Sequence, residues 1–400
     1  NFCPFEEGQS AFFQWSHNNI SADFKNRRIE MNHKMKVISK FFQFAPILLL
    51  VLVSACAPAA TPTAEPATEV APVPQDNVVN VYNWSDYMDE SILADFEEKF
   101  GVTVNYTEYG GMDDLIDVLE AGPVDYDLVV PADYAVEYLR NESMFGAPDR
   151  ANMPNFGNIA PTFINPYFDP GNRYCIPYQW GTTGIGYNIQ ATGKEILGWG
   201  DVFDLAVEGR VRLSLLADPR ESLGAVLLFL GYSPNTTNPV EINEAAEFLK
   251  AHADQIVSYA PDTGSELLAA GELDIAHDYS GDIFQHMENN PDIRYVIPSE
   301  GAIIWSDNVC LLANAPHKEN AEMFMNYLLD PEVGAALSNY LRYATPNQAA
   351  LPLINESDRN DPGLYPSEDV LSKLFFLTDV GEATQVYEDA WSEILANHAE

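Results

Sequence analysis

The sequence predicts an α/β protein of two lobes, each a mainly parallel sheet flanked by helices. Three observations carry this. The chain has 400 residues, more than most single cores hold, which points to about two domains. From residue 78, short Val-rich runs alternate with stretches of helical apolar spacing, the order that yields a parallel sheet covered by helices. From residue 211 a second series of the same kind begins.

In the first series, residues 78–82 predict a strand. Ile92, Leu93, Phe96 and Phe100 then fall at helical spacing over 89–100, and Gly101 supplies the stop. Residues 102–106 alternate as a second strand, and Leu115, Ile116 and Leu119 share one face of a helix over 112–120. Residues 128–130 form a buried strand closed by Pro131, with Asp133 placed to cap the next helix. In the second series, strands are predicted over 211–216, 256–259 and 274–277, and helices over 220–230, 242–252 and 265–270. A largely extended run over 303–312 precedes helices over 320–329 and 331–340. No short-period repeat is present.

The N-terminal part reads differently. Met31 and Met35 sit among Lys34, Lys36 and Lys40, and an apolar run follows over 41–55, the charged and apolar regions of an export signal. The run is short for a spanning helix. It ends in Val53-Ser54-Ala55-Cys56, which resembles the bacterial lipobox, so Cys56 is the expected lipidation site and first mature residue. Residues 1–30 read as an upstream over-extension, 31–55 as the signal, and 56–77 as a Pro/Ala/Thr-rich tether that lacks the apolar surface to fold. The expected location is the periplasm or the outer face of the cytoplasmic membrane.

Composition narrows the partners. At 46% apolar and 12% aromatic, the chain has the material for folded cores rather than disorder. The formal charge is −40; the first 55 residues hold six Lys/Arg and four Asp/Glu, leaving 14 bases against 56 acids in the rest. Such a body repels nucleic-acid phosphates and permits a cationic ligand, without identifying one. Cys175 and Cys310 form a single pair beyond Cys56 in an oxidising compartment; a disulfide and two buried thiols are both open.

Ligands of open parallel sheets lie beyond the carboxyl ends of the strands. Those ends carry Trp84-Ser85-Asp86-Tyr87, Asp133-Tyr134, Asp218-Pro219-Arg220-Glu221, Tyr279-Ser280-Gly281-Asp282 and Trp305-Ser306-Asp307. Rings and carboxylates recur there without a matching supply of Lys or Arg, a pattern suited to binding an organic cation. An ammonium leaving water needs charged acceptors, and Tyr and Trp faces add about 0.5–2 kcal/mol each through cation–π attraction. A polyamine alternates these two needs along its length. Taken singly, Asp86 and Asp218 are equally explained as turn or cap residues, and any one ring as packing.

The runs Tyr82-Asn83-Trp84-Ser85-Asp86-Tyr87, Tyr126-Asp127-Leu128-Val129-Val130-Pro131 and Ile176-Pro177-Tyr178-Gln179-Trp180-Gly181-Thr182-Thr183-Gly184-Ile185-Gly186-Tyr187-Asn188 resemble the periplasmic spermidine/putrescine-binding proteins. So do Asp218-Pro219-Arg220-Glu221, Leu230-Gly231-Tyr232-Ser233-Pro234-Asn235-Thr236-Thr237 and Tyr343-Ala344-Thr345-Pro346-Asn347, and the resemblance runs from about 78 to 400. It implies the type II solute-binding fold closing about a hinge, with one lobe over 78–182 and 307–352 and the other over 183–306 and 353–400. The family's ligand roles fall on Trp84, Ser85, Asp86, Tyr87 and Tyr134 in the first lobe, and on Asp218, Glu221, Tyr279 and Asp282 in the second. Trp305, Asp307 and Tyr343 complete the cleft near the crossing. The implied partners are a polyamine and the permease and ATPase subunits of an ABC importer, with the membrane reached through the lipid anchor; a monomer is expected, with no cofactor, metal or catalytic residue. Ala132, Tyr279 and Leu377 depart from the spermidine-binding pattern (Ser, Trp and Gln are usual there), while Asp282 resembles the putrescine branch, so the choice between spermidine and putrescine stays open.

Other readings are a sensor subunit with the same site, a binding protein for another small organic cation, or a carboxylate-dependent hydrolase. The last lacks support: no GxSxG, HExxH, Walker A or GxGxxG run is present.

Overall fold

In a computed structural model, residues 77–85, 87–261 and 263–398 are described. The export signal, Cys56, the tether up to residue 76, and Asp86 lie outside the described residues.

Among the described residues, ten strands form one mixed sheet: β1 (Val78–Trp84), β2 (Thr103–Tyr109), β3 (Leu128–Val129), β4 (Cys175–Asn188), β5 (Leu213–Leu216), β6 (Ile256–Ala260), β7 (Ile275–Tyr279), β8 (Ile293–Val296), β9 (Ala302–Leu311) and β10 (Leu374–Phe375). Their order is β2-β1-β3-β9-β4-β7-β5-β6, with β10 beside β9 and β8 beside β4. The β1–β2, β1–β3, β5–β6, β5–β7 and β9–β10 pairs are parallel; β4 and β9 run antiparallel to each other, β4 also to β7 and β8, and β9 also to β3. The two parallel groups are thus the sheets of two lobes, and β4 and β9 belong to both.

Local chemistry explains the elements. In β1, Val79 and Val81 enter the core on one face and Tyr82 the core on the other, the period of two that a strand imposes. Helix Glu90–Phe100 starts where the Asp89 carboxylate accepts the Ser91 amide and stops at Gly101, whose φ of 67° is the left-handed conformation glycine adopts freely. Helix Met112–Glu120 buries Met112, Leu115 and Leu119. The next helix, Asp133–Asn141, corrects one expectation: Ala132 is its N-cap, and Asp133 is its first helical residue. Helix Pro219–Phe229 is apolar nearly all round because it is buried nearly all round, from Glu221 to Leu228.

The first lobe carries cores on both sheet faces, one including Val79, Phe96, Ile176, Val309 and Phe324, the other Tyr82, Leu115, Val129 and Leu139. Cys175 and Cys310 lie opposite each other on β4 and β9 and are joined by a disulfide inside the second of these cores. In the second lobe Trp199, Leu213, Val226, Leu249 and Tyr387 pack together. Among the described residues, no helix is long and apolar enough to cross a membrane.

Candidate functional site

β4 and β9 set the geometry. Their ladder pairs Gln179 with Asp307, Trp180 with Ser306, Gly181 with Trp305 and Thr182 with Ile304. Opposed residues share a face, so Trp305 and Asp307 project together where the two lobes meet. Gly181 lacks a side chain for a direct reason: a Cβ there would collide with the Trp305 ring and the Ser280 hydroxyl. Gly281 plays the same part against Tyr343.

A run of rings lines this region. Tyr279 meets Trp305 edge-on at 5.9 Å, Trp305 meets Tyr343 at 5.2 Å, Tyr343 meets Tyr87 at 5.7 Å, and Tyr87 meets Tyr178 at 5.4 Å. Tyr87 donates its hydroxyl to Asp307 at 2.8 Å, and Tyr343 donates to Asp282 at 2.7 Å, linking the β9 side to the helix that follows β7. The Trp84 ring is half-buried against Tyr109 at 4.9 Å, and the indole N–H groups of Trp84 and Trp305 are buried without a hydrogen-bond acceptor.

Carboxylates face these rings. Asp307 is 8% exposed and Glu221 6% exposed. Burial pushes Asp307 up to about 7, against the Tyr87 hydroxyl, which favours its charged form. Burial, reinforced by the charge of Asp218, raises Glu221 well above the usual carboxylate range. Its Oε2 has no hydrogen-bond partner. Asp218 is exposed and caps helix Pro219–Phe229, accepting the Arg220 and Glu221 amides at 2.7 and 2.9 Å. Capping and facing the cleft are compatible here, since its charge is felt by Tyr134, Glu221 and Tyr279. Ser85 is exposed and Tyr134 is 56% exposed, at the rim.

The charge of Arg220 is felt at Glu221, but its hydrogen bonds go elsewhere. Its guanidinium donates to the carbonyls of Thr378 and Pro234 and to the Asn235 side chain, and lies 4.8 Å from the Tyr387 ring. Among the described residues, no Lys or Arg is within ion-pair distance of Asp218, Glu221 or Asp307. Nor is any group of three or more His, Cys, Asp or Glu arranged to hold a metal ion among those residues.

Two buried polar residues outside the predicted set adjoin Asp307. Asp133 is 3% exposed; one oxygen accepts the Tyr134 amide at 2.7 Å and the other has no partner. Burial pushes it up to about 8, an effect the Tyr134 and Ser306 backbone amides oppose and the charge of Asp307 reinforces. Gln179 is fully buried, and neither end of its amide has a partner. Asp133 is a strand-end carboxylate, but its expected role as a cap accounted for it. Only the ladder register reveals where Gln179 stands.

Two lobes that share their crossing strands, with aromatic faces and buried carboxylates gathered along those strands, have the architecture of a solute-binding protein. The chain belongs to the bacterial extracellular solute-binding protein family, whose profile matches residues 91–363, and within it to the spermidine/putrescine-binding periplasmic proteins. It is 35% identical over 317 residues to the spermidine/putrescine-binding periplasmic protein of Salmonella typhimurium, covering 79% of this chain and 90% of the relative. It is 34% identical to the putrescine-binding periplasmic protein SpuD of Pseudomonas aeruginosa, covering 81% and 94%. Among solved structures, the spermidine/putrescine ABC transporter substrate-binding protein PotD of Streptococcus pneumoniae matches with a TM-score of 0.76 at 29% identity, over 80% of this chain and 99% of that one. The Tp0655 lipoprotein of Treponema pallidum matches with a TM-score of 0.69 at 28% identity, over 79% and 99%.

Proposed function

We propose that this chain is an extracytoplasmic binding protein that captures a polyamine, spermidine or putrescine, between its lobes and delivers it to an ABC importer. It acts by binding, not by catalysis. The observation that carries the reading is the pairing of Asp307 and Glu221, buried carboxylates with no basic partner among the described residues, beside the Tyr279–Trp305–Tyr343–Tyr87 rings. Burying a carboxylate unpaired is costly, and an ammonium threaded between the rings removes that cost while its methylenes cover apolar faces. The names of the Salmonella and Pseudomonas relatives support the same ligand class.

Closure follows from ligand bridging. A polyamine that contacts Asp307 on one side and Glu221 on the other binds the closed form better than the open one and shifts the population toward it. The hinge lies at Thr182–Thr183 and Ser306–Asp307, where β4 and β9 pass between lobes, giving lobes of 78–182 with 307–352 and 183–306 with 353–400. Ligand contacts come from Trp84, Ser85, Asp86, Tyr87, Tyr134, Asp218, Glu221, Tyr279, Asp282, Trp305, Asp307 and Tyr343. The mature chain is a monomer anchored through a lipid on Cys56, a feature shared in kind with the lipoprotein from Treponema. The test is a calorimetric panel of putrescine, cadaverine, spermidine and spermine, with thiamine and amino acids as controls. Micromolar or tighter binding confined to polyamines is expected; binding only to a control compound refutes the proposal.

A further inference from the structure

Asp307 has two neighbours that the function proposed above leaves without a role. The β4–β9 ladder sets Gln179 directly opposite Asp307, just as it sets Gly181 opposite Trp305. The collision a Cβ on Gly181 would have with the Trp305 ring verifies that these opposed positions share the cleft face. Gln179 therefore projects beside Asp307, fully buried, with both its amide oxygen and its amide nitrogen unpartnered. From the other flank, Ala132 forms an isolated antiparallel bridge with Asp307, so the backbone of the adjoining Asp133 lies next to β9, close enough for its carboxyl to feel the Asp307 charge. Asp133 is 3% exposed and one of its oxygens also has no partner. Buried polar atoms are nearly always satisfied, so three unpartnered atoms around one carboxylate mark a place built for a polar guest.

The charge of that guest follows from the count. Asp133, Asp307 and Glu221 are all buried, and none has a Lys or Arg within ion-pair distance among the described residues. A diamine brings an ammonium to two of the three carboxyls and leaves one without a cation, whereas a triamine brings one ammonium for each. The neutral Gln179 oxygen supplies a further acceptor for the same ammonium without adding repulsion.

We propose that Asp133 and Gln179 complete with Asp307 an ammonium subsite in the wall of the cleft, and that this subsite makes the chain prefer a triamine over a diamine. The inference rests on the polyamine reading above. Asp133 is the residue that sets the preference; Gln179 orients and shares the guest.

The experiment is calorimetry on the mature chain with spermidine, putrescine and spermidine acetylated at either end, the last pair keeping the length while removing one charge. The unmodified chain should bind spermidine at least tenfold more tightly than putrescine, and acetylation at one end should cancel that advantage. Asp133→Asn should weaken spermidine tenfold or more while changing putrescine less than threefold. Gln179→Met should weaken spermidine by three- to tenfold, a second route should Asp133→Asn not fold. Ligand-free Asp133→Asn should unfold at a temperature no lower than the parent, because a neutral amide of the same shape replaces a buried carboxyl with an unpartnered oxygen. Equal losses for both amines, or none for either, overturn the subsite and leave polyamine capture standing. Failure of the unmodified chain to bind any polyamine overturns both.

Discussion

Replacing Asp307 by Asn removes a charge from the cleft while keeping its shape. The carboxyl is 8% exposed and takes the Tyr87 hydroxyl at 2.8 Å, a bond the Asn carbonyl can also accept. What is lost is a charge-assisted bond to the ligand's ammonium, worth about 1.5–3 kcal/mol. At about 1.4 kcal/mol per tenfold, polyamine binding should weaken by roughly 10- to 150-fold. Because burial lifts Asp307 to about 7, part of the population must shed a proton before binding at neutral pH, so the comparison belongs at pH 8, where that cost is small. The assay is isothermal calorimetry at fixed moderate salt, with ligand-free thermal unfolding alongside. Affinity should fall while ligand-free stability holds or rises, since the variant no longer buries a carboxylate without a cation. A loss below threefold refutes the role given to Asp307. So does a loss accompanied by collapse of the ligand-free fold, which would make the residue structural.

Tyr343→Phe removes the hydroxyl donated to Asp282 and should weaken polyamine binding about three- to tenfold by calorimetry, given about 0.5–1.5 kcal/mol for such a bond; an unchanged affinity would mean the contact does not favour the closed form. Ligand-free stability should fall as pH rises from 6.5 to 8. Asp133, raised to about 8, and Asp307, raised to about 7, hold protons in the fold that the unfolded chain has already released, so the stability they contribute at low pH is lost as pH climbs through these values. Each group adds a slope of about 1.4 kcal/mol per pH unit within its window, and a flat urea-denaturation profile would contradict the assigned burial. His277 acts in the opposite sense: burial lowers it to about 3, so its contribution is present above the usual histidine value and is lost as pH falls towards 3. Changing Cys175 and Cys310 together to Ser opens a cross-link between residues 135 apart and should cost about 4–5 kcal/mol in guanidinium unfolding, while leaving polyamine affinity within threefold.

Much of this was written plainly in the chain. Helix Met112–Glu120 has the bounds that Leu115, Ile116 and Leu119 imply, because an isolated apolar stripe leaves little room for another reading. β4 was not legible as a strand. It is buried along its length, so it shows no alternation, and Pro177, Gly181, Gly184 and Gly186 argue locally against a strand; long-range pairing with β9 overrides them. Helix Ser280–Asn289 was hidden by its Ser-Gly-Asp start, and β8 and β10 by their brevity. The rings and acids at strand ends were readable because each directly follows a run of strand pattern in the sequence. Gln179 was not, because its position depends on a pairing between residues 128 apart in sequence.

Trp305 and Tyr343 rest on Gly181 and Gly281, and this limits how such a protein can be retargeted. Any mutation that gives either glycine a side chain collides with a ring and must displace it, so that bank cannot be remodelled in small steps. A combinatorial library aimed at new amines gains most from Asp133, Gln179 and Tyr279, and gains nothing from diversity spent on the two glycines.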